Sequence, residues 1–213
     1  DATTGYVSVS RFSETTTEEL VEALEDLKKN GMKQLILDLR GNPGGYLSQA
    51  TKMADLFIDG KKKLVYTIGR RSEFNEEYYA SEKTEYEKIP LIILVNKGSA
   101  SASEIVAGAV QDWDRGLIVG ETSFGKGLVQ RQFTLSDNSA LRLTISEYIT
   151  PSGRLIQREK KKKKDKDEYY SELGEREEEE GDNINHTVEK DSARPTFKTN
   201  GGRVVYGGGG ITP

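Results

Sequence analysis

Cysteine is absent from this chain, and histidine occurs once, at His186. The first absence excludes a disulfide framework and thiolate metal sites, and is compatible with an extracytoplasmic protein. The second leaves hydrolysis by a histidine base with one candidate. His186 follows the polar stretch Asp182-Asn183-Ile184-Asn185, lacks the apolar and preorganised surroundings of a catalytic base, and reads as a surface or loop residue. No run approaches the roughly 18 apolar residues that a membrane-spanning helix needs. Neither sign of charge dominates: 31 Lys and Arg stand against 35 Asp and Glu, a net charge of -4, which makes no case for nucleic acid or an anionic membrane as partner. The sequence shows neither an initiator Met nor a signal peptide, which predicts a piece of a longer protein.

What is present is an alternation of strand and helix patterns over most of the first 150 residues, so the fold class is α/β. Gly5 to Phe12 alternates apolar and polar residues, as a half-buried strand does. Thr15-Thr16-Thr17-Glu18-Glu19 offers a cap and an acidic first turn to a helix with Leu20, Val21, Leu24 and Leu27 on one face, ending at Asn30-Gly31. Gln34 to Arg40, Leu91 to Val95 and Gly116 to Gly120 read as buried strands, because their apolar residues are nearly continuous. Residues 46–57 and 103–112 read as helices, with Ala50, Met53, Ala54 and Phe57 facing inward in the first. Lys63 to Arg70 reads as a strand, and 71–88 as a charged, tyrosine-rich surface excursion. Gly127 to Phe133 and Ala140 to Thr150 read as a hairpin or sheet edge. From Arg158 to Glu180 a lysine run gives way to an acidic one, a solvated excursion or else a regulatory or docking arm. Pro195 to Thr199 and Arg203 to Tyr206 then look like returning strands. Gly207 to Gly210 lacks the Lys-Ser or Lys-Thr of a phosphate-binding loop and suits close backbone packing.

Chemistry concentrates in Gly98-Ser99-Ala100-Ser101-Ala102-Ser103-Glu104 and in Phe124-Gly125-Lys126-Gly127. A hydroxyl becomes a nucleophile only when a base takes its proton, and lysine does so only in its neutral form, which desolvation favours. Lys126 has the least solvated neighbourhood of the lysines, with Phe124 and Leu128 beside it and no carboxylate within four residues along the chain. The serines lie between a buried strand and a helix N-terminus, where free backbone N–H groups suit an oxyanion. A second such junction at Gly44-Gly45 could add another donor. Both junctions are equally compatible with ordinary strand-to-helix turns, with Ser103 a helix cap, and local chemistry alone allows Ser99, Ser101 or Ser103 as nucleophile.

Asp38-Leu39-Arg40-Gly41-Asn42-Pro43-Gly44-Gly45, Ser99 to Ile105 and Phe124 to Gly127 together resemble the three signature blocks of carboxy-terminal processing peptidases, the tail-specific proteases. The resemblance runs from about Gly5 to Ile156, and the segment from Phe197 to Pro213 also resembles bacterial members. It implies a Clp protease/crotonase-like fold with repeated β-β-α units. It implies Ser101 as nucleophile, Lys126 as general base, Gln130 as the residue that orients the lysine, and the backbone of Gly45 and Ala102 as oxyanion donors. Strand spacing would place Lys126 and Gln130 on one face. The expected organisation is a peptidase core over 1–156, a charged, flexible insert over 157–192 and C-terminal strands over 193–213. The implied activity is that of a serine endopeptidase cleaving proteins near their C-termini through an acyl-enzyme, with no metal or organic cofactor. Its partners are protein or peptide substrates with accessible C-termini, bound by strand addition, and a PDZ domain is expected in the full-length protein. An extracytoplasmic place follows, periplasmic or held at a bacterial membrane by segments outside this sequence. Two other readings stay open: a non-catalytic peptide-binding module of the same fold, and a crotonase-like acyl-CoA enzyme, in which the Ser and Lys blocks have no place.

Overall fold

A computed structural model describes residues 3–81, 83–158 and 194–213; His186 and nearly all of the charged stretch assigned to 157–192 lie outside the described residues. In chain order the elements are β1 (Thr4–Ser8), α1 (Thr16–Lys29), β2 (Gln34–Asp38), α2 (Leu47–Asp55), β3 (Lys63–Gly69), β4 (Glu76–Tyr79) and β5 (Leu91–Val95). They continue with α3 (Ala102–Asp112), β6 (Leu117–Gly120), β7 (Leu128–Thr134), β8 (Ala140–Ile149), β9 (Thr196–Lys198) and β10 (Val204–Tyr206). The class is mixed α/β. One sheet is parallel with the order β1-β2-β5-β6, a second is antiparallel with the order β4-β3-β8-β7, and β9 and β10 form a short antiparallel pair.

The parallel sheet follows from its sequences. Leu35 and Leu37 of β2 and Ile93 and Val95 of β5 are buried at the sheet centre, as near-continuous apolar strands require. Against them pack Leu20 and Leu24 of α1 and Ala50 and Met53 of α2. Complete burial of such a side chain contributes about 1.5–3 kcal/mol. Phe57, just beyond α2, joins the same core. Two expectations fail. β6 is an edge strand, with Leu117 57% and Val119 43% exposed: among the described residues no strand pairs with its other side. The excursion at 71–88 is partly sheet: β4 pairs antiparallel with β3, and Tyr86 is buried in the main core.

α3 is buried along its whole length, which small residues make possible. Gly108 leaves no room for a side chain: a Cβ there would stand 2.9 Å from Thr150 Cγ2 and 3.2 Å from Ile211 Cδ1. At the far end of α3, Asp112 Oδ1 meets Arg154 Nη2 at 2.7 Å, with both side chains fully buried. Arg154 also donates to Gln111 Oε1 at 2.6 Å and to the Tyr206 carbonyl at 3.2 Å, while Asp112 Oδ2 accepts the N–H of Ser152 at 3.0 Å. This ion pair joins the end of α3 to the turn after β8 and to β10.

A buried ion pair contributes little net stability, yet breaking one leaves an uncompensated charge. Asp112→Ala should therefore destabilise the protein by about 3–5 kcal/mol in urea titrations, whereas Asp112→Leu combined with Arg154→Met should recover most of that loss. Equal destabilisation by the single and double variants would contradict this account of the pair.

Candidate active site

The loop between β5 and α3 is fixed residue by residue. Asn96 Oδ1 accepts the N–H groups of Gly41 at 2.8 Å and Gly98 at 3.0 Å, holding this loop to the turn that follows β2. Ser99 is fully buried; its hydroxyl donates to the Leu39 carbonyl at 2.7 Å and accepts the Asn96 N–H at 3.0 Å. Ser103 is equally buried, donates to the Asn42 carbonyl at 3.0 Å and lies inside α3 rather than at its cap. Ser101 is the capping residue, only partly buried, and has φ 55° and ψ -111°. A non-glycine residue in that region costs about 1–3 kcal/mol and persists only where the surroundings impose it. Of the three serines, two have their hydroxyls engaged in the scaffold, and the third stands at a strained strand-to-helix elbow.

The second block packs onto this elbow. Asn42 binds the Val9 carbonyl through Nδ2 at 2.7 Å and accepts the Gly44 N–H on Oδ1 at 2.9 Å, and its carbonyl accepts the Ala100 N–H at 2.9 Å. Gly44, at φ 95°, comes so close that a Cβ would lie 2.7 Å from Ser101 Cβ and 2.9 Å from the Ala102 nitrogen. Gly45 packs equally tightly on the Phe12 carbonyl. Among the described residues neither the Gly45 nor the Ala102 N–H has an acceptor. Two unpaired backbone donors thus stand at this junction, that of Ala102 directly after Ser101 at the positive end of α3 and that of Gly45 next in the chain to the glycine packed on Ser101. The turn is braced from below by Asp38, which takes Arg40 Nη2 at 2.6 Å and the Tyr6 hydroxyl at 2.7 Å. The hydrogen bond from Arg40 is the largest influence holding the Asp38 carboxyl down at about 2.

Glu104 connects the serine elbow to the lysine loop. It is fully buried, and its carboxylate accepts four hydrogen bonds. Oε1 takes the Ser123 hydroxyl at 2.5 Å and the Gly125 N–H at 2.7 Å; Oε2 takes the Ser101 N–H at 2.8 Å and the Lys126 N–H at 2.9 Å. The backbone nitrogens of Ser101 and Lys126 therefore flank a single oxygen atom. Burial pushes the Glu104 carboxyl upward, and its four donors act against that shift. The sequence offered a sign of this residue, an acidic group three positions after a helix-capping serine, but local pattern assigns it only to the cap. Lys126 has no carboxylate near it along the chain, yet one is bound to its own amide in space.

Tyr148 of β8 completes the junction and has no sequence signal at all. Its buried hydroxyl donates to the Lys126 carbonyl, and its N–H binds the Gly127 carbonyl at 2.9 Å. Burial raises its phenol well above the ordinary value and the Glu104 charge adds to this, while the Ser101 side chain acts in the opposite sense. Lys126 itself is partly buried and stands two residues before β7, so strand alternation does not govern its direction. Among the described residues no hydrogen bond joins Ser101 Oγ to Lys126 Nζ, and none joins Lys126 to the side chain of Gln130, which is exposed on β7. Contacts between a catalytic base and its nucleophile commonly tighten only when substrate is bound.

The crowding at Gly44 gives a direct test. Gly44→Ala should leave the circular dichroism spectrum native and slow labelling of the protein by a serine-directed fluorophosphonate on the order of a hundredfold, since a misplacement near 1 Å costs that much. An unchanged labelling rate would show that the turn does not set the position of Ser101.

The profile of peptidase family S41 matches residues 3–167. The chain is 45% identical over 157 residues to a carboxy-terminal-processing protease of Bartonella bacilliformis, covering 72% of this chain and 36% of that protein. It is 40% identical over 156 residues to the carboxy-terminal processing protease CtpA of Bacillus subtilis, covering 73% of this chain and 33% of that one. Among solved structures, a photosystem II D1 C-terminal processing protease superposes with a TM-score of 0.64 at 40% identity, over 72% of this chain and 39% of the other. The chain thus spans about a third of the length of the curated relatives it matches. With its three sequence blocks gathered around one serine elbow, the chain belongs to peptidase family S41.

Proposed function

We propose that this chain carries the catalytic core of a serine endopeptidase that cleaves protein substrates near their C-termini, with Ser101 as nucleophile and Lys126 as general base. The observation that carries the reading is the elbow itself. A partly buried serine in a strained conformation is followed by the unpaired N–H of Ala102 and is packed on by Gly44, whose chain neighbour Gly45 has the other unpaired N–H. One carboxylate ties the serine amide to that of Lys126. In the first step Ser101 Oγ attacks the scissile carbonyl carbon and its proton passes to the Lys126 amine. The Gly45 and Ala102 N–H groups take the charge that develops on the carbonyl oxygen. Collapse breaks the C–N bond, the lysine returns the proton to the leaving amine, and water then hydrolyses the ester on Ser101. Gln130 is assigned the orientation of the lysine side chain. No step calls for a metal or an organic cofactor.

Support for the substrate class comes from relatives named as carboxy-terminal processing proteases, among them a chloroplastic one of Arabidopsis thaliana. The same relatives support action outside the cytoplasm or in a lumen. No helix among the described residues is long and apolar enough to cross a membrane. The parallel sheet with its intervening helices supports the Clp protease/crotonase-like architecture, and capture of an extended peptide by strand pairing suits it. A PDZ domain elsewhere in the full-length protein would serve that capture.

Ser101→Ala and Lys126→Ala should each abolish peptide cleavage by the full chain, with stability within about 1 kcal/mol of the parent. Cleavage that survives in either purified variant would rule out the assigned pair. Cleavage absent from the parent itself, with peptide binding retained, would identify a binding module of the same fold.

A further inference from the structure

Ser123, in the loop between β6 and β7, is fully buried and has no part in the chemistry assigned above. Its hydroxyl donates to Glu104 Oε1 at 2.5 Å and accepts the N–H of Ile211 at 2.7 Å. A serine hydroxyl has one proton. With the Ile211 N–H on its acceptor side, that proton is directed to Glu104. The Ser123 N–H returns a bond to the Ile211 carbonyl at 3.0 Å, so the two residues are clasped by a reciprocal pair.

Ile211 is itself held firmly. Its side chain is fully buried against Gly108 of α3, and the glycines before it bind the segment after β8, Gly208 N–H to the Leu155 carbonyl at 2.8 Å and Gly210 N–H to the Ile156 carbonyl at 2.9 Å. Gly210, at φ 85°, allows the chain to pass so near Ser123 that a Cβ would collide with the Ser123 carbonyl. The C-terminal segment is thus linked by consecutive hydrogen bonds through Ser123 to Glu104, and Glu104 sets the amides of Ser101 and Lys126.

We propose that Ser123, oriented by the C-terminal segment Gly207–Ile211, is a positioning residue for the Ser101 and Lys126 pair; this rests on the assignment of that pair made above. Without the Ser123 proton, Glu104 Oε1 keeps only the Gly125 N–H, and the carboxylate can turn about its Oε2 contacts. The two loops remain joined by the Phe124 N–H to the Ser99 carbonyl at 3.0 Å, so the pair loosens without separating. The result is a slower chemical step with substrate binding intact.

The test is steady-state cleavage of a peptide by the full chain. Ser123→Ala should lower kcat about tenfold or more, with KM within about twofold of the parent, because Ser123 is buried away from any substrate. Ser123→Cys, nearly the same size with a weaker donor, should lie between the two. Val205→Ala removes a buried side chain from β10, just before the C-terminal segment, without touching the hydrogen-bond chain, and should leave kcat unchanged. Full kcat in Ser123→Ala, an equal loss in Val205→Ala, or a loss carried by KM would overturn the proposal. If Ser123→Ala does not accumulate folded, Ser123→Cys decides by the same split. Ser101→Ala assayed alongside separates the two ideas. Activity there removes the catalytic pair itself, whereas an inactive Ser101→Ala with a fully active Ser123→Ala removes only the positioning role.

Discussion

Glu104 sits where two loops distant in sequence meet, and every group around its carboxylate is a donor. That arrangement is demanding in both directions. A charged carboxylate in a dry site is costly without partners, and the four donors would be costly without the carboxylate. Each of the two oxygens accepts two bonds, which uses nearly all the capacity of the group. The elbow and the lysine loop are therefore placed by a common satisfied network rather than by packing alone. Such networks specify one geometry because partial satisfaction is worse than none.

The strain at Ser101 is sustained from several sides. α3 is buried throughout, its first turn is bound to Asn42 and, through Glu104, to the lysine loop, and Gly44 packs against Ser101. The far end of α3 is pinned by Asp112 and Arg154 to the turn after β8 and to β10. The helix that Ser101 caps is thus fixed at both ends by buried polar contacts, with apolar contacts between. The chain elements that do this come from residues 42, 112, 154 and 211, so the site draws on nearly the full length of the described fold.

Much of this was legible in the sequence. The apolar runs at Gln34 and Leu91 marked the central strands, and Ala50, Met53 and Ala54 marked the inner face of α2, with Phe57 just beyond its end. Gly44 packs on Ser101, and the backbone amides of Ser101 and Lys126 share one carboxylate. What stayed hidden depends on contacts between distant residues. The apolar pattern of Leu117 and Val119 does not say that β6 lies at an edge. Tyr86 lies in a charged stretch, and its burial depends on the core it joins. Serine spacing could not separate Ser99 and Ser103 from Ser101, because the difference lies in carbonyls of Leu39 and Asn42 some sixty positions away. Ser123, Tyr148 and Ile211 carry no local signal because their roles are bonds to partners far along the chain.

The backbone angle at Ser101 sets stability against function at one position. Glycine is the residue that adopts a positive φ without penalty, so the fold itself would prefer glycine where the proposed chemistry requires a hydroxyl. A library selected for thermal resistance alone would drift at this site toward a more robust and inert protein. A serine at that angle is held there against the preference of the backbone.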